Sequence, residues 1–179
     1  TSRHLSNFVS NYRKMSELEK PVLADVPLRP LLEDLRNAYP DLSWEINIPD
    51  GIIVRADSGM LRQVLMNLAK NATEAEAKKM VITPLPPPRG EASLLGILPL
   101  GGVREGLMLY IGNDGLPIPA ENRQSLFVPF FTTKRSGSGI GLSLSRRMMI
   151  QQGGMLDLAE KPLSGCRAGF LLAIQLTNR

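Results

Sequence analysis

The sequence predicts an α/β two-layer sandwich: a mixed, mostly antiparallel sheet with helices packed on one face. Three observations carry that reading. Apolar residues recur at helical spacing from Leu61 to Ala75, apolar and polar residues alternate in several short stretches, and the two patterns interleave along the chain. The 179 residues suit one domain with its own core plus a short helical tail, and 43% hydrophobic with 21% charged residues is an ordinary globular balance.

In chain order, Leu5, Phe8, Val9, Tyr12 and Met15 form the stripe of an amphipathic helix over roughly residues 1–20, closed by Pro21. Leu31, Leu32, Leu35 and Ala38 mark a second helix that starts after Pro30 and stops near Pro40. Trp44, Ile46 and Ile48 alternate as a strand, and Ile52 to Val54 give a second one across the Pro49-Asp50-Gly51 turn. Asp57 or Ser58 then caps the long helix. Strands follow at Met80–Thr83 and Leu107–Gly112, separated by a Pro/Gly-rich insert from about 84 to 106 that reads as a loop or irregular hairpin. After a stretch of weak periodicity, a helix from about Ile140 to Gln152 ends at Gly153-Gly154, as a left-handed cap requires. Two strands close the chain, the last carrying Phe170, Leu172, Ile174 and Leu176 in a half-buried alternation.

Bulk properties exclude several classes. The net charge is +4, but the basic residues are scattered, with no run longer than a doublet such as Lys78-Lys79 or Arg146-Arg147, so no nucleic-acid surface is expected. The longest apolar run, near 94–100, is broken by Gly96 and Pro99 and falls far short of the ~20 residues of a membrane helix. No direct membrane contact is expected. The single cysteine, Cys166, points to a reducing compartment, and the cytoplasm is the default.

On the long helix, Asn67, Lys70, Asn71 and Glu74 fall on one stripe, displaced by roughly 120° from the apolar one. Such an edge borders either solvent or a cleft; in a cleft, Asn71 offers a neutral oxygen suited to a Mg²⁺ that keeps several waters. Asn113-Asp114-Gly115 ends an alternating strand. It is a plain turn, or else Asp114 is a carboxylate that accepts from the N6 amine of adenine while Gly115 lets the base approach the backbone. Gly137-Ser138-Gly139-Ile140-Gly141-Leu142 leads straight into a helix and suits an anion nest. Lys134 and Arg135 before it either add charge for phosphates or form a solvated loop tip. No Gly-x-x-x-x-Gly-Lys-Ser/Thr run occurs, which excludes a P-loop.

These segments, in this order, resemble the ATP-binding catalytic domain of bacterial sensor histidine kinases, within the gyrase, Hsp90, histidine kinase and MutL superfamily. Gln63 to Ala75 resembles its N box, Asp114-Gly115-Leu116-Pro117 its G1 box, Phe127 to Lys134 its F box, and Gly137 to Leu142 its G2 box. The resemblance covers about residues 22–176 and implies a Bergerat-type fold that binds ATP with Mg²⁺. It implies Asp114 as the adenine contact, Asn71 as the Mg²⁺ ligand, and Asn67 and Lys70 beside the phosphates. Gly115, Pro117, Lys134, Gly137, Ser138, Gly139, Ile140, Gly141 and Leu142 complete the implied ATP site, and residues 120–138 form its lid.

By the same resemblance, residues 1–20 are the end of a dimerisation helix with its linker, and 21–179 the catalytic domain. The reaction implied is transfer of the γ-phosphoryl to a histidine on a dimerisation domain outside the chain, then relay to an aspartate of a response regulator. Hydrolysing members of the superfamily carry a glutamate one turn before the Mg²⁺ asparagine. Here Asn67 stands there, so slow hydrolysis is expected. The only histidine, His4, is followed by Leu5-Ser6 and lacks the acidic neighbour of an acceptor histidine. The chain is therefore expected to be a fragment of a longer, homodimeric kinase whose parent is soluble or membrane-anchored. Two alternatives stay open: an anti-sigma-type serine kinase, disfavoured by Asn67, and a catalytically idle nucleotide-sensing scaffold. Pro84 to Arg89 also fits a Pro-x-x-Pro-x-Arg pattern, for which a rigid extended connector is the simpler reading.

Overall fold

Five strands form the main sheet of the computed structural model, which describes residues 2–85, 106–134 and 137–177. The elements are α1 (Ser2–Ser16), β1 (Ala24–Pro27), α2 (Leu28–Ala38), β2 (Ser43–Ile46), β3 (Ile53–Ala56), α3 (Ser58–Glu74), β4 (Lys79–Pro84), β5 (Gly106–Asn113), a 3₁₀ turn (Ala120–Ser125), α4 (Gly141–Gln151), β6 (Met155–Leu158) and β7 (Ala168–Gln175). The strand order is β2-β4-β5-β7-β6. Only β2 and β4 pair in parallel; the remaining ladders are antiparallel, as expected of a mixed, mostly antiparallel sheet.

Strand parity decides which side chains meet the helices. On β5, Leu109 and Ile111 face the core with Met80 and Ile82 of β4 and Phe170, Leu172 and Ile174 of β7. Leu61, Val64, Leu65, Leu68 and Ala72 of α3 and Leu28, Leu31, Leu32 and Leu35 of α2 cover this face. Tyr110 belongs to the opposite face, where it lies over Gly112 and Gly169. A Cβ on either glycine would come within 2.5 Å or less of its ring or hydroxyl, so only glycine fits at both positions. The Tyr110 hydroxyl accepts from Leu163 N–H at 3.0 Å, and burial pushes its pKa up to about 12.

Four expectations change. Helix α2 begins at Leu28, two residues before Pro30, because a proline in the first turn forfeits only an N–H that has no intrahelical partner. The Ile52 strand does not form a hairpin with β2. Instead β3 pairs with β1 in a separate two-stranded sheet, Val26 opposite Val54, joined to the main sheet by the Val54–Leu176 bridge. Strand β1 itself was not foreseen, and it buries only Val26. Strand β7 is more deeply buried than a half-exposed alternation requires, because it lies between β5 and β6.

The insert falls between β4 and β5 as expected. Its residues 86–105, with most of the Pro-x-x-Pro-x-Arg pattern and the 94–100 apolar run, lie outside the described residues. Among the described residues no helix is long and apolar enough to cross a membrane.

Asp57 caps α3 and ties it to two other segments. Its side chain accepts from Met60 N–H at 3.0 Å and from Val22 N–H at 2.9 Å, while its own N–H donates to the buried Gln152 beyond α4 at 2.9 Å. Burial pushes the carboxyl up, but the N–H groups of Met60, Val22 and Gly59 outweigh it and hold the group below the ordinary carboxylate range. A depressed folded-state pKa stabilises the fold above the ordinary carboxylate pKa, and that contribution is lost as pH falls through the folded value. Asp57→Ala should lower the free energy of unfolding at pH 7 by about 1–2 kcal/mol, and urea titrations at decreasing pH should show the gap to wild type narrowing once Asp57 protonates.

Candidate functional site

Between α3, the start of α4 and the end of β5 lies a cavity of about 950 Å³. That is within the range of small-molecule sites and ample for a nucleotide. Its walls divide by chemistry. One end is apolar, with Pro117, Ile118, Leu144, Met148 and Phe170; the other is polar, with Asn67, Lys70, Asn71, Glu74 and Lys134; Gly137 to Leu142 run along it.

The polar edge of α3 therefore borders a cleft. Asn67 is fully engaged there: its Nδ2 donates to Ser145 Oγ at 2.8 Å and to the Gly141 carbonyl at 3.3 Å, and its Oδ1 accepts from Gln63 at 3.0 Å. These bonds hold the first turn of α4 against α3. An amide in this role has no lone pair suited to taking a proton, so Asn67 positions the loop. One turn on, Asn71 Oδ1 accepts from the Lys134 ammonium at 3.3 Å, and the same ammonium pairs with Glu74. Lys70 lies 4.0 Å from Glu74 and is exposed. A cationic group, the Lys134 ammonium, thus sits against the Asn71 oxygen. Among the described residues no cluster of three or more His, Cys, Asp or Glu could hold a metal ion, so a Mg²⁺ here would complete its shell with phosphate oxygens and water.

The glycine loop is shaped for close approach. Gly139 has φ +70°, and a Cβ there would lie 2.4 Å from the Phe130 carbonyl carbon. Phe130 is itself left-handed at φ +67° and donates its N–H to the Gly139 carbonyl at 2.8 Å. At the N-terminus of α4, Ile140 offers no side-chain cap, so the first N–H groups of the helix remain available for an anion beside the cavity. Arg135 lies outside the described residues.

The opening of the 120–138 segment is fastened down. Arg123 donates to the carbonyls of Ala159 at 2.9 Å and Glu160 at 3.1 Å, and the Arg146 guanidinium lies 4.1 Å above the Phe127 ring. Further on, Phe130 stacks on Phe8 of α1 with ring centroids 5.0 Å apart. Asn11 and Lys14 of α1 and Glu17 just beyond it line the cavity, whereas His4 does not.

Of the residues expected at the site, Asn67, Lys70, Asn71, Pro117, Lys134, Gly137, Ser138, Gly139, Ile140, Gly141 and Leu142 all line this cavity; Asp114 and Gly115 do not. The Asp114 carboxylate turns to the opposite side and accepts from the N–H groups of Lys78 and Lys79, both at 2.8 Å. Burial raises its pKa, but these donors and the Lys79 charge outweigh burial and hold it low. Gly115 is glycine because a Cβ would lie 2.6 Å from the Ala75 carbonyl oxygen. The residue that reaches the apolar end is Asn113, 7% exposed. Its signal was present in the sequence: Leu109, Ile111 and Asn113 share the inward parity of β5, and Asp114 is one residue out of phase.

Residues 56–177 match the family described as histidine kinase-, DNA gyrase B-, and HSP90-like ATPase. The chain belongs to that family of ATP-binding domains. It is 26% identical to the nitrogen regulation protein NtrY of Azorhizobium caulinodans, over 88% of this chain and 20% of that protein. It is 34% identical to the sensory histidine kinase/phosphatase NtrB of Rhizobium leguminosarum bv. phaseoli, over 68% of this chain and 32% of that protein. The chain thus spans about a fifth to a third of the length of these two relatives. The catalytic domain of histidine kinase ThkA shares the fold with a TM-score of 0.66 at 24% identity, covering 88% of this chain and 99% of that one. Full-length ShkA, solved in complex with AMPPNP, superposes with a TM-score of 0.69 at 22% identity, covering 98% of this chain and 36% of that one.

The Asp114 geometry gives a prediction opposite to the adenine-contact expectation. Asp114→Ala should cost about 1–2 kcal/mol of stability by freeing two N–H groups from a charged acceptor, yet change nucleotide affinity by less than about threefold, read by calorimetric titration.

Proposed function

We propose that this chain binds a Mg²⁺–nucleoside triphosphate, ATP being the nucleotide of its family, and serves as the catalytic domain of a sensor histidine kinase. The observation that carries the reading is the cavity's division into an apolar end for a base and a polar end that joins Asn71 to a glycine loop at a helix N-terminus. The base lies between Ile118, Met148 and Phe170, and the phosphates run toward Gly137–Gly141, where backbone N–H groups and the α4 N-terminus meet their charge. Lys134, now paired with Glu74 and Asn71, is free to turn to the phosphates when a divalent cation replaces its ammonium at Asn71. When bound, Mg²⁺ offsets the charge of the phosphate oxygens. The 120–138 segment acts as the lid, hinged beyond the point where Arg123 and Arg146 fasten it.

The reaction class follows from what the site lacks as a base. Asn67 is committed to Gly141, Ser145 and Gln63, so water activation is poor and hydrolysis slow. A neutral imidazole nitrogen brings its own lone pair at pH 7. It attacks the γ-phosphorus, the bond to the β-bridging oxygen breaks, a nitrogen–phosphorus bond forms, and the nucleoside diphosphate leaves. What this chain contributes is positioning. That a relative is named a sensory histidine kinase/phosphatase supports the kinase reading; relay onward to a response regulator, a homodimeric parent and a cytoplasmic setting are parts of the same proposal. The exposed stripe of Leu5, Phe8, Val9 and Tyr12 on α1 supports reading residues 1–20 as part of a dimerisation helix that presents the acceptor histidine from elsewhere.

Calorimetric titration of ATP with Mg²⁺ and with EDTA tests the cation's place. Mg²⁺ should tighten binding by about tenfold or more, and Asn71→Ala should remove most of that gain while leaving the EDTA affinity nearly unchanged. Equal affinity with and without Mg²⁺ in wild type would refute the role given to Asn71.

A further inference from the structure

We propose that the base end of this cavity takes 6-oxopurine nucleotides, those of hypoxanthine and guanine, at least as well as adenine nucleotides, because Asn113 presents an amide donor to it. The inference rests on the reading of the cavity as a nucleotide site and specifies its substrate class.

Asn113 is the last residue of β5, and its side chain is the buried polar group at the apolar end. Its orientation is set from below. The N–H of Gly115 can only donate, and it donates to Asn113 Oδ1 at 2.9 Å, so the amide oxygen is turned toward the chain. The main-chain carbonyl of Asn113 is also taken, by Arg167 N–H at 2.7 Å. The side-chain Nδ2 has no protein partner among the described hydrogen bonds. It is not a buried orphan, because it opens on the cavity. Its two hydrogens are the polar feature that a base would meet there.

The carboxylate expected at this point is absent: Asp114 is fixed on the far side by Lys78 and Lys79. The difference is chemical. A carboxylate only accepts, so it matches the exocyclic amine of adenine and repels a carbonyl at the same ring position. An amide whose donor faces inward does the reverse. Nδ2–H donates to the O6 of hypoxanthine or guanine, and the second lone pair of Oδ1 accepts from their N1–H, a bidentate match. Against adenine in the same pose, Nδ2–H faces N6–H, donor against donor. Adenine remains bindable by shifting so that Oδ1 accepts from N6–H and Nδ2 donates to N1, which is why the prediction is lost discrimination rather than exclusion of ATP. A correct bidentate pair is worth enough to alter relative affinity by about tenfold or more.

Calorimetric titration of the chain with Mg-ATP, Mg-ITP and Mg-GTP, alongside Asn113→Asp, tests this. Wild type should bind Mg-ITP at least as tightly as Mg-ATP. Asn113→Asp is nearly isosteric and keeps an acceptor for Gly115 N–H, and it should move the ITP-to-ATP affinity ratio toward ATP by about tenfold or more. Preference of wild type for ATP over both other nucleotides by more than about tenfold would overturn the inference and leave the nucleotide site standing. Failure of wild type to bind any of the three would overturn the nucleotide site and this inference together. Should Asn113→Asp not fold, the wild-type ratio decides alone.

Discussion

The hydrogen bonds of one amide hold the cavity in shape. Asn67, half-buried on α3, bonds the Gly141 carbonyl and Ser145 at the opening of α4, while Gln63 one turn earlier braces it. Ser145 is fully buried, so an apolar residue at 67 would strand its hydroxyl and release the turn that carries the glycine loop. The shape of the glycine loop depends on that turn: the uncapped α4 N-terminus, the left-handed Gly139, and its carbonyl's bond from Phe130 N–H. The residue that braces the turn is an amide, which does not take up a proton as a carboxylate does.

Electrostatics at the polar edge of the cavity centre on one ammonium, that of Lys134. Lys134 bridges Asn71 and Glu74 from the lid side, so a divalent ion at Asn71 must displace an ammonium. The polar edge of α3 and the 120–138 segment are thereby linked through one side chain. Helix α1 adds a second link. Phe8 stacks on Phe130 of the 120–138 segment, and Asn11, Lys14 and Glu17 line the cavity.

Much of this was legible in the residues. Periodicity located α3, β4, β5, α4 and β7, because each buries a continuous apolar face whose spacing survives in the sequence. The polar edge of α3 and the glycine loop were legible as departures from periodicity, although the residues alone left the edge open between solvent and a cleft. Strand β1 was not, since four residues burying Val26 alone leave no pattern, and the pairing of β3 was misassigned because a Pro-Asp-Gly turn signals reversal of the chain but not which strand lies opposite. Of the two residues at the end of β5, Asn113 lines the cavity and Asp114 does not. A motif read by residue type favours Asp114, whereas the pleat, counted from Leu109, favours Asn113.

Amide-resolved NMR of the chain titrated with Mg-ATP tests the central claim most directly, that one cavity holds a nucleotide between the end of β5 and the start of α4. Saturable shifts should concentrate at the backbone amides of Gly137, Gly139 and Gly141 and at the side-chain amides of Asn71 and Asn113, with the Asp114 neighbourhood moving little. Shifts absent from the glycine loop, or centred on the Asp114 side of the sheet, would contradict the account.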